Sequence, residues 1–187
     1  MRWPWQTPIV YAIGAPWGFE AGEAIINSLG RFWYKHYAVL FPEQLEMVVG
    51  LAQPRFTFFL NWSHRVPESV LCMTEPVNFH AAPLPYGRGG GPIENMILHG
   101  HDSTVVSAHL MTSELDAGPI YGQSGPVSLL GTKEEIQARF VKPVSQMAVQ
   151  IARGKLTPKP QVGEPTYFKR LPKEAYDAFW IARGGHV

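Results

Sequence analysis

"RFTFFLNWSHRVPESVLCMTEPVNFH" (Arg55 to His80) holds the reading that decides the fold. Its opening, "RFTFFLN", is aromatic and apolar throughout, the pattern of a central strand covered on both faces. "PESVLCM" then predicts a short helix, and "PVNFH" a second strand. The same alternation continues upstream. "PIVYAIG" (Pro8 to Gly14) reads as a buried strand bounded by Pro and Gly. "EAGEAIINSLG" follows as a helix with Ala21, Ala24, Ile25 and Leu29 on one face and Gly30 as its stop. "YKHYAVLF" is a strand, and "PEQLEMVVGLA" a helix with Pro42 in its permitted first turn. Strands alternating with helices in this way predict an α/β fold: an open, mostly parallel, twisted sheet with helices on both faces.

Downstream of His80, "PIENMILHG" predicts a helix with Pro92 at its first position and Gly100 just past its end. "STVVSAHLM" (Ser103 to Met111) reads as one strand, with Val105, Ser107, His109 and Met111 on one face and Val106, Ala108 and Leu110 on the other. "GPIYGQSGPVSL" is a further extended segment. Thr132 and Glu135 form a capping box. It opens a helix whose Ile136, Phe140, Val144, Met147 and Ile151 point inward and whose Pro143 is expected to kink it. The Pro-rich tail, "TPKPQVGEPTYFKRLP", is expected to lie extended across the body of the domain. No repeat or second boundary interrupts residues 1–187, which are expected to form one domain.

The chain has 187 residues, 16 Lys and Arg against 15 Asp and Glu, and a net charge of +1. With the basic residues scattered, no nucleic-acid footprint and no membrane-surface role are expected. The single cysteine, Cys72, allows no internal disulfide and lies in an apolar run, so it is expected to be buried in packing. The opening "MRWPWQTPIVYAIGA" loosely mimics an export signal, but Arg2 is its only charge and Pro4 and Pro8 interrupt it. The expected location is cytoplasmic.

The chemistry concentrates in "NFHAAPLPYGRGGGP" (Asn78 to Pro92). Asn78 and His80, two apart at the end of a strand, point to one side, and open α/β sheets bind ligands just past the carboxyl ends of their strands. The glycines lack the Lys-Ser/Thr ending of a phosphate loop, and Gly14, Gly18 and Gly22 are too widely spaced for a dinucleotide fingerprint. Asp116, in "ELDAGPIY", follows the strand that bears His109. His64, His99, His101 and His109 show no metal-ligand spacing, so no metal is expected.

Taken in order, Asn78-x-His80, Leu84-Pro85, Arg88-Gly89 and Asp116-x-Gly118-Pro119-Ile120 resemble the formyltransferases that use 10-formyltetrahydrofolate. "SAH" (Ser107 to His109) and the tail "GEPTYFKRLP" add to the likeness, which spans Phe56 to about Pro172. The resemblance implies Asn78, His80 and Asp116 as catalytic residues and a cis bond at Leu84-Pro85. It implies folate contacts at Trp62, Ser63, His64 and Val66 and around Thr112, Ser113, Glu114 and Leu115. Arg88, Gly89 and Gly90 would lie on the acceptor side, with Ser107 and His109 as hydrogen-bonded support. The glycine-rich phosphate loop of the ribonucleotide members is missing, and the chain stops before the C-terminal β-barrel of the tRNA members. A small-molecule amine is therefore the expected acceptor, a nucleotide-linked amino sugar or an amino-acid-derived amine.

Formyl transfer from nitrogen to nitrogen develops an oxyanion and moves protons, so it needs aimed donors and a group titrating near neutrality. Asn78 and a protonated His80 would donate to the oxyanion. Asp116 is expected to raise the pKa of His80 and orient it. The same pocket could instead pass the formyl group to water, as a 10-formyltetrahydrofolate hydrolase, or bind folate or a nucleotide without turnover. The oligomeric state is left open, a homodimer included.

Overall fold

A computed structural model describes residues 6–184; Arg2 and Pro4 of the signal-like opening lie outside them. In chain order the elements are β1 (Thr7–Ile13), α1 (Ala15–Leu29), β2 (Tyr34–Val39), α2 (Leu45–Ala52) behind a 3-10 turn at Pro42–Gln44, β3 (Phe56–Leu60), α3 (Glu68–Met73) and β4 (Glu75–His80). They continue as β5 (Arg88–Gly89), α4 (Pro92–Leu98), β6 (Ser103–Thr104), β7 (Ser107–Leu110), β8 (Ile120–Gln123) and β9 (Val127–Ser128). The chain ends in α5 (Lys133–Ala152), β10 (Tyr167–Phe168) and α6 (Lys173–Ile181).

The main sheet runs β2-β1-β3-β4-β7-β8. Its first four strands are parallel, and β7 and β8 are antiparallel to their neighbours. Period-two alternation splits β1 between two cores. Ile9, Tyr11 and Ile13 join Trp17, Ala21, Ile25 and Leu29 of α1 and the apolar stripe of α5. Val10 and Ala12 join Leu45, Val49 and Ala52 of α2 and Val70 of α3 on the other face. All five residues of β3 are buried, as a strand covered on both faces requires. Gly14 and Gly18 bring α1 against the end of β3, where any side chain at either position would strike the carbonyls of Asn61 or Leu60.

Four expectations change. The helix read from Glu20 begins at Ala15. The strand read through 103–111 breaks at Val105 and Val106: β6 pairs with β9, while β7 leaves to join β4 and β8. Val106 N–H is taken at the break by Ser124 Oγ, so the change of partners leaves that donor satisfied. Cys72 is exposed, because the buried face of short α3 is carried by Val70. Helix α6 has no counterpart in the sequence reading; it is held by buried Trp180, whose indole N–H donates to Glu94 Oε1 at 3.0 Å.

The tail does lie extended across the body: β10 pairs in parallel with β5, setting Tyr167 against Arg88 and Phe168 against Gly89. The Leu84-Pro85 bond is cis. Thr132 and Glu135 exchange both capping-box hydrogen bonds.

Candidate active site

The carboxyl end of β4 pairs antiparallel with β7, setting Asn78 opposite His109 and His80 opposite Ser107. Asn78 Nδ2 lies 3.3 Å from His109 Nε2. That nitrogen is also 3.3 Å from Asp116 Oδ1. The other face of the carboxylate meets His80, whose Nδ1 is 3.6 Å from Asp116 Oδ2. Gly89 N–H donates to the same oxygen at 2.9 Å. One buried carboxylate is thus bracketed by two imidazoles and a backbone amide, with the carboxamide one ring away.

Backbone geometry makes this approach feasible. Asp116 has φ +50°, in the left-handed region, and the glycine two residues on packs so tightly that a side chain would strike the Leu110 carbonyl. Gly89 has φ +105° and lies directly against the Phe168 carbonyl. A side chain at Gly89 would force its N–H away from Asp116, so here the glycine-rich run has a definite purpose.

Burial is the largest influence on Asp116 and favours the neutral acid. It is outweighed by the hydrogen bond from His109, the charges of His80 and His109 and the Gly89 amide, which hold the pKa down to about 2. At His80 the balance reverses. Burial pushes its pKa below the ordinary 6.5, and the Asp116 charge and the Gly87 carbonyl offset this only in part. Asp116 does raise the His80 pKa, as expected, but the net shift is downward because desolvation wins. His80 Nε2 donates to Gly87 O at 2.7 Å, which fixes the neutral tautomer with its lone pair on Nδ1. In this resting state His80 accepts a proton, and it becomes a donor at Nδ1 only after doing so.

A cavity of about 1030 Å³ opens beside these groups. Asn78, His80, Asp116, Gly89 and Gly90 line it, as do Trp62, Ser63, His64, Val66, Thr112, Ser113 and Leu115. Trp62 stands edge-on to Phe59 and His64, and its indole N–H is buried without a partner among the described residues.

Arg88 does not line the cavity, which corrects its placement on the acceptor side. Its guanidinium donates to Gln161 Oε1 at 2.9 and 3.2 Å, to Glu114 Oε1 at 3.1 Å and to the Tyr167 hydroxyl at 3.3 Å. The side chain of Glu114, also outside the cavity lining, is the exposed partner of that ion pair. Ser107 is structural: its hydroxyl donates to Ala82 O at 2.6 Å and accepts from Leu84 N–H at 3.2 Å. His109 lies behind the cavity wall and touches Asp116 directly.

Gln161 escaped the sequence reading. Its side-chain amide donates to the carbonyls of Asp116 at 2.7 Å and Gly118 at 2.9 Å while its oxygen receives Arg88. Nothing in the tail "KPQVGEP" marks this glutamine, since its partners lie more than 40 residues upstream. Among the described residues no group of three or more His, Cys, Asp or Glu is arranged to hold a metal ion.

An open α/β sheet with an ionised carboxylate, a neutral imidazole and a carboxamide gathered at a strand end gives a cleft equipped for acid–base work. The chain belongs to the formyl transferase family, whose profile matches residues 36–151. It is 37% identical over 106 residues to a methionyl-tRNA formyltransferase of Thermobifida fusca, an alignment covering 53% of this chain and 34% of the relative. The chain thus spans about a third of that relative's length. Among solved structures, a methionyl-tRNA formyltransferase from Clostridium thermocellum superposes with TM-score 0.85 and 28% identity, covering 90% of this chain and 74% of the other. The formyltransferase PseJ from Anoxybacillus kamchatkensis, at 18% identity and TM-score 0.67, covers 90% of this chain and 89% of its own and shares the fold.

Proposed function

We propose that the chain transfers a formyl group from 10-formyltetrahydrofolate to a primary amine of a small molecule. The observation that carries this reading is the convergence of Asn78, His80 and Asp116 at the lip of one cavity. PseJ, which has the same fold, is described in complex with tetrahydrofolate and a formamido sugar nucleotide. The residues fit a folate: Trp62 offers a ring edge and an unpartnered indole N–H, and the backbone from Thr112 to Leu115 offers polar groups along the cavity wall.

The folate supplies a formyl carbon already bonded to a nitrogen that can leave. The protein's part is to hold that carbonyl and to move protons. Asn78 directs its amide toward the oxygen where negative charge develops, a placement worth about 3 kcal/mol for one donor. Neutral His80 takes a proton from the incoming amine at Nδ1, and Asp116 stabilises the resulting imidazolium. The new imidazolium then has an N–H for the oxyanion and a proton for the departing nitrogen. One C–N bond forms as another breaks, and the proton lost by the amine is matched by the one gained by the folate nitrogen.

Asn78→Ala, His80→Ala and Asp116→Asn are each expected to lower kcat/KM for amine formylation by about a hundredfold or more, with folding retained. A panel of amino sugars, amino acids and simple amines, followed by release of tetrahydrofolate, reads this directly. Release of formate at an equal rate without any amine would replace the transferase reading with hydrolysis.

A further inference from the structure

The end of the cavity beyond Gly89 holds two charged groups that the transfer step does not use. Glu94 is only 7% exposed yet lines the cavity. Its Oε1 is occupied by the indole N–H of Trp180, and its Oε2 has no partner among the described residues. A carboxylate in the first turn of α4 is favourably placed for its charge. That accounts for the charge being tolerated there, and leaves Oε2, which is not itself buried, free to accept from a molecule in the cavity.

Arg170, an exposed residue, lines the same cavity, and no hydrogen bond or ion pair engages its guanidinium among the described residues. Of the other cations that line it, Lys173 pairs with Asp177, and Lys133 lies 5.0 Å over the Tyr176 ring. Glu94 and Arg170 both approach Gly91. A Cβ built there would lie 3.3 Å from Glu94 Oε2 and 3.7 Å from Arg170 Cα, yet no ion pair joins the two residues. Asn95 fixes both supports, donating to Gly90 O at 3.2 Å, Gly91 O at 2.8 Å and Lys169 O at 3.0 Å.

We infer that Glu94 and Arg170 bind the head group of a zwitterionic acceptor, an α-amino acid whose side chain carries the amine to be formylated. The carboxylate of Glu94 accepts from the α-ammonium, and the guanidinium of Arg170 takes the α-carboxylate. Gly91 is two residues from Gly89, a Cα separation of at most about 7 Å, and Gly89 N–H rests on Asp116. An ornithine-like or lysine-like side chain spans that interval and delivers its terminal nitrogen to His80. There the nitrogen forms its bond to the formyl carbon as the bond to the folate nitrogen breaks, with one proton lost by the amine and one gained by the folate. A plain alkylamine leaves both charged groups unpaired, and a nucleotide-linked amino sugar can meet Arg170 with its phosphates but brings no second ammonium to Glu94. This assignment deepens the formyltransferase reading and rests on it for the transfer step.

Two measurements separate the ideas. The first is calorimetric titration of the protein with L-ornithine, with L-lysine and with butylamine, in the wild type and in Glu94→Gln and Arg170→Gln. Glu94→Gln keeps an oxygen for Trp180 and removes only the charge, so the fold is expected to survive. Binding of L-ornithine or L-lysine is expected to weaken about tenfold in each variant, the loss of one charge-assisted pair. The second is formylation with 10-formyltetrahydrofolate. The ratio of kcat/KM for the diamino acid over butylamine is expected to fall about tenfold in either variant, through KM. Should neither diamino acid bind, or should the ratio and the titrations ignore both substitutions, the head-group assignment is overturned. Binding that obeys the substitutions with no formyl transfer to any amine would keep the site and overturn the transferase reading instead.

Discussion

Asp116 loses most of its water on folding, which alone would favour the neutral acid; His109, His80 and the Gly89 amide hold its pKa at about 2 against an ordinary 3.8. A carboxylate depressed in the folded state contributes stability that is fully present above about pH 4 and lost as pH falls toward 2, amounting to roughly 2 kcal/mol. His80 acts at higher pH. Its folded pKa lies below 6.5, so as pH drops through 6.5 the unfolded chain takes up a proton that the native ring resists, and stability declines. Urea midpoints measured from pH 8 to pH 5 are therefore expected to decline in the wild type, with His80→Gln flattening that part of the curve. The same shift puts the acidic limb of kcat/KM below pH 6.5. Asn78, His80 and Asp116 were legible as separate signals because strand alternation and a familiar motif order place them. Their electrostatics were not, since the sequence shows that a carboxylate is near but not how much water the pair loses.

β10 and β5 make a two-residue ladder, far too small to be stable alone, yet through Arg88 and Gln161 it clamps the loop that carries Asp116. Gln161→Glu tests the clamp closely. It still presents an oxygen to Arg88 but has no N–H for the carbonyls of Asp116 and Gly118, leaving two partly buried acceptors facing a carboxylate. Losing such bonds costs about 1–3 kcal/mol. The expected outcome is a fall in kcat of roughly tenfold or more with folate affinity nearly retained, read by steady-state kinetics beside equilibrium titration of a folate analogue. Unchanged kcat would show that the loop holds Asp116 without the tail. Elsewhere in the fold, Thr132→Ala removes the α5 cap and is expected to cost about 1 kcal/mol in denaturant unfolding. That cap was readable from four consecutive residues. The clamp was not, because each of its bonds joins residues far apart in sequence, and α6 was hidden for the same reason: its one buried ring, Trp180, acquires meaning only against Glu94.

The charge of the whole molecule bears on what can approach the cavity. With 16 basic and 15 acidic residues the chain generates little long-range attraction for a polyanion. Of the lysines and arginines that line the cavity, Lys173 pairs with Asp177 and Lys133 lies over the Tyr176 ring, which leaves Arg65 and Arg170 without an ion-pair partner among the described residues. Two guanidiniums on separate segments suit one or two carboxylates or phosphates. A nucleic acid needs a row of cations, and its affinity falls steeply with salt as each contact releases a counterion. This chain is therefore expected to formylate a small amine at a rate that added tRNA does not suppress at 150 mM salt, and to bind tRNA no more tightly than nonspecific contact, about 10⁻⁴ M or weaker. Competition assays with increasing tRNA at 50 mM and 150 mM salt measure this. Inhibition at low micromolar tRNA that survives the higher salt would mean that an extended basic surface operates despite the near balance of charge, and the small-molecule acceptor would then give way to a polynucleotide-borne one.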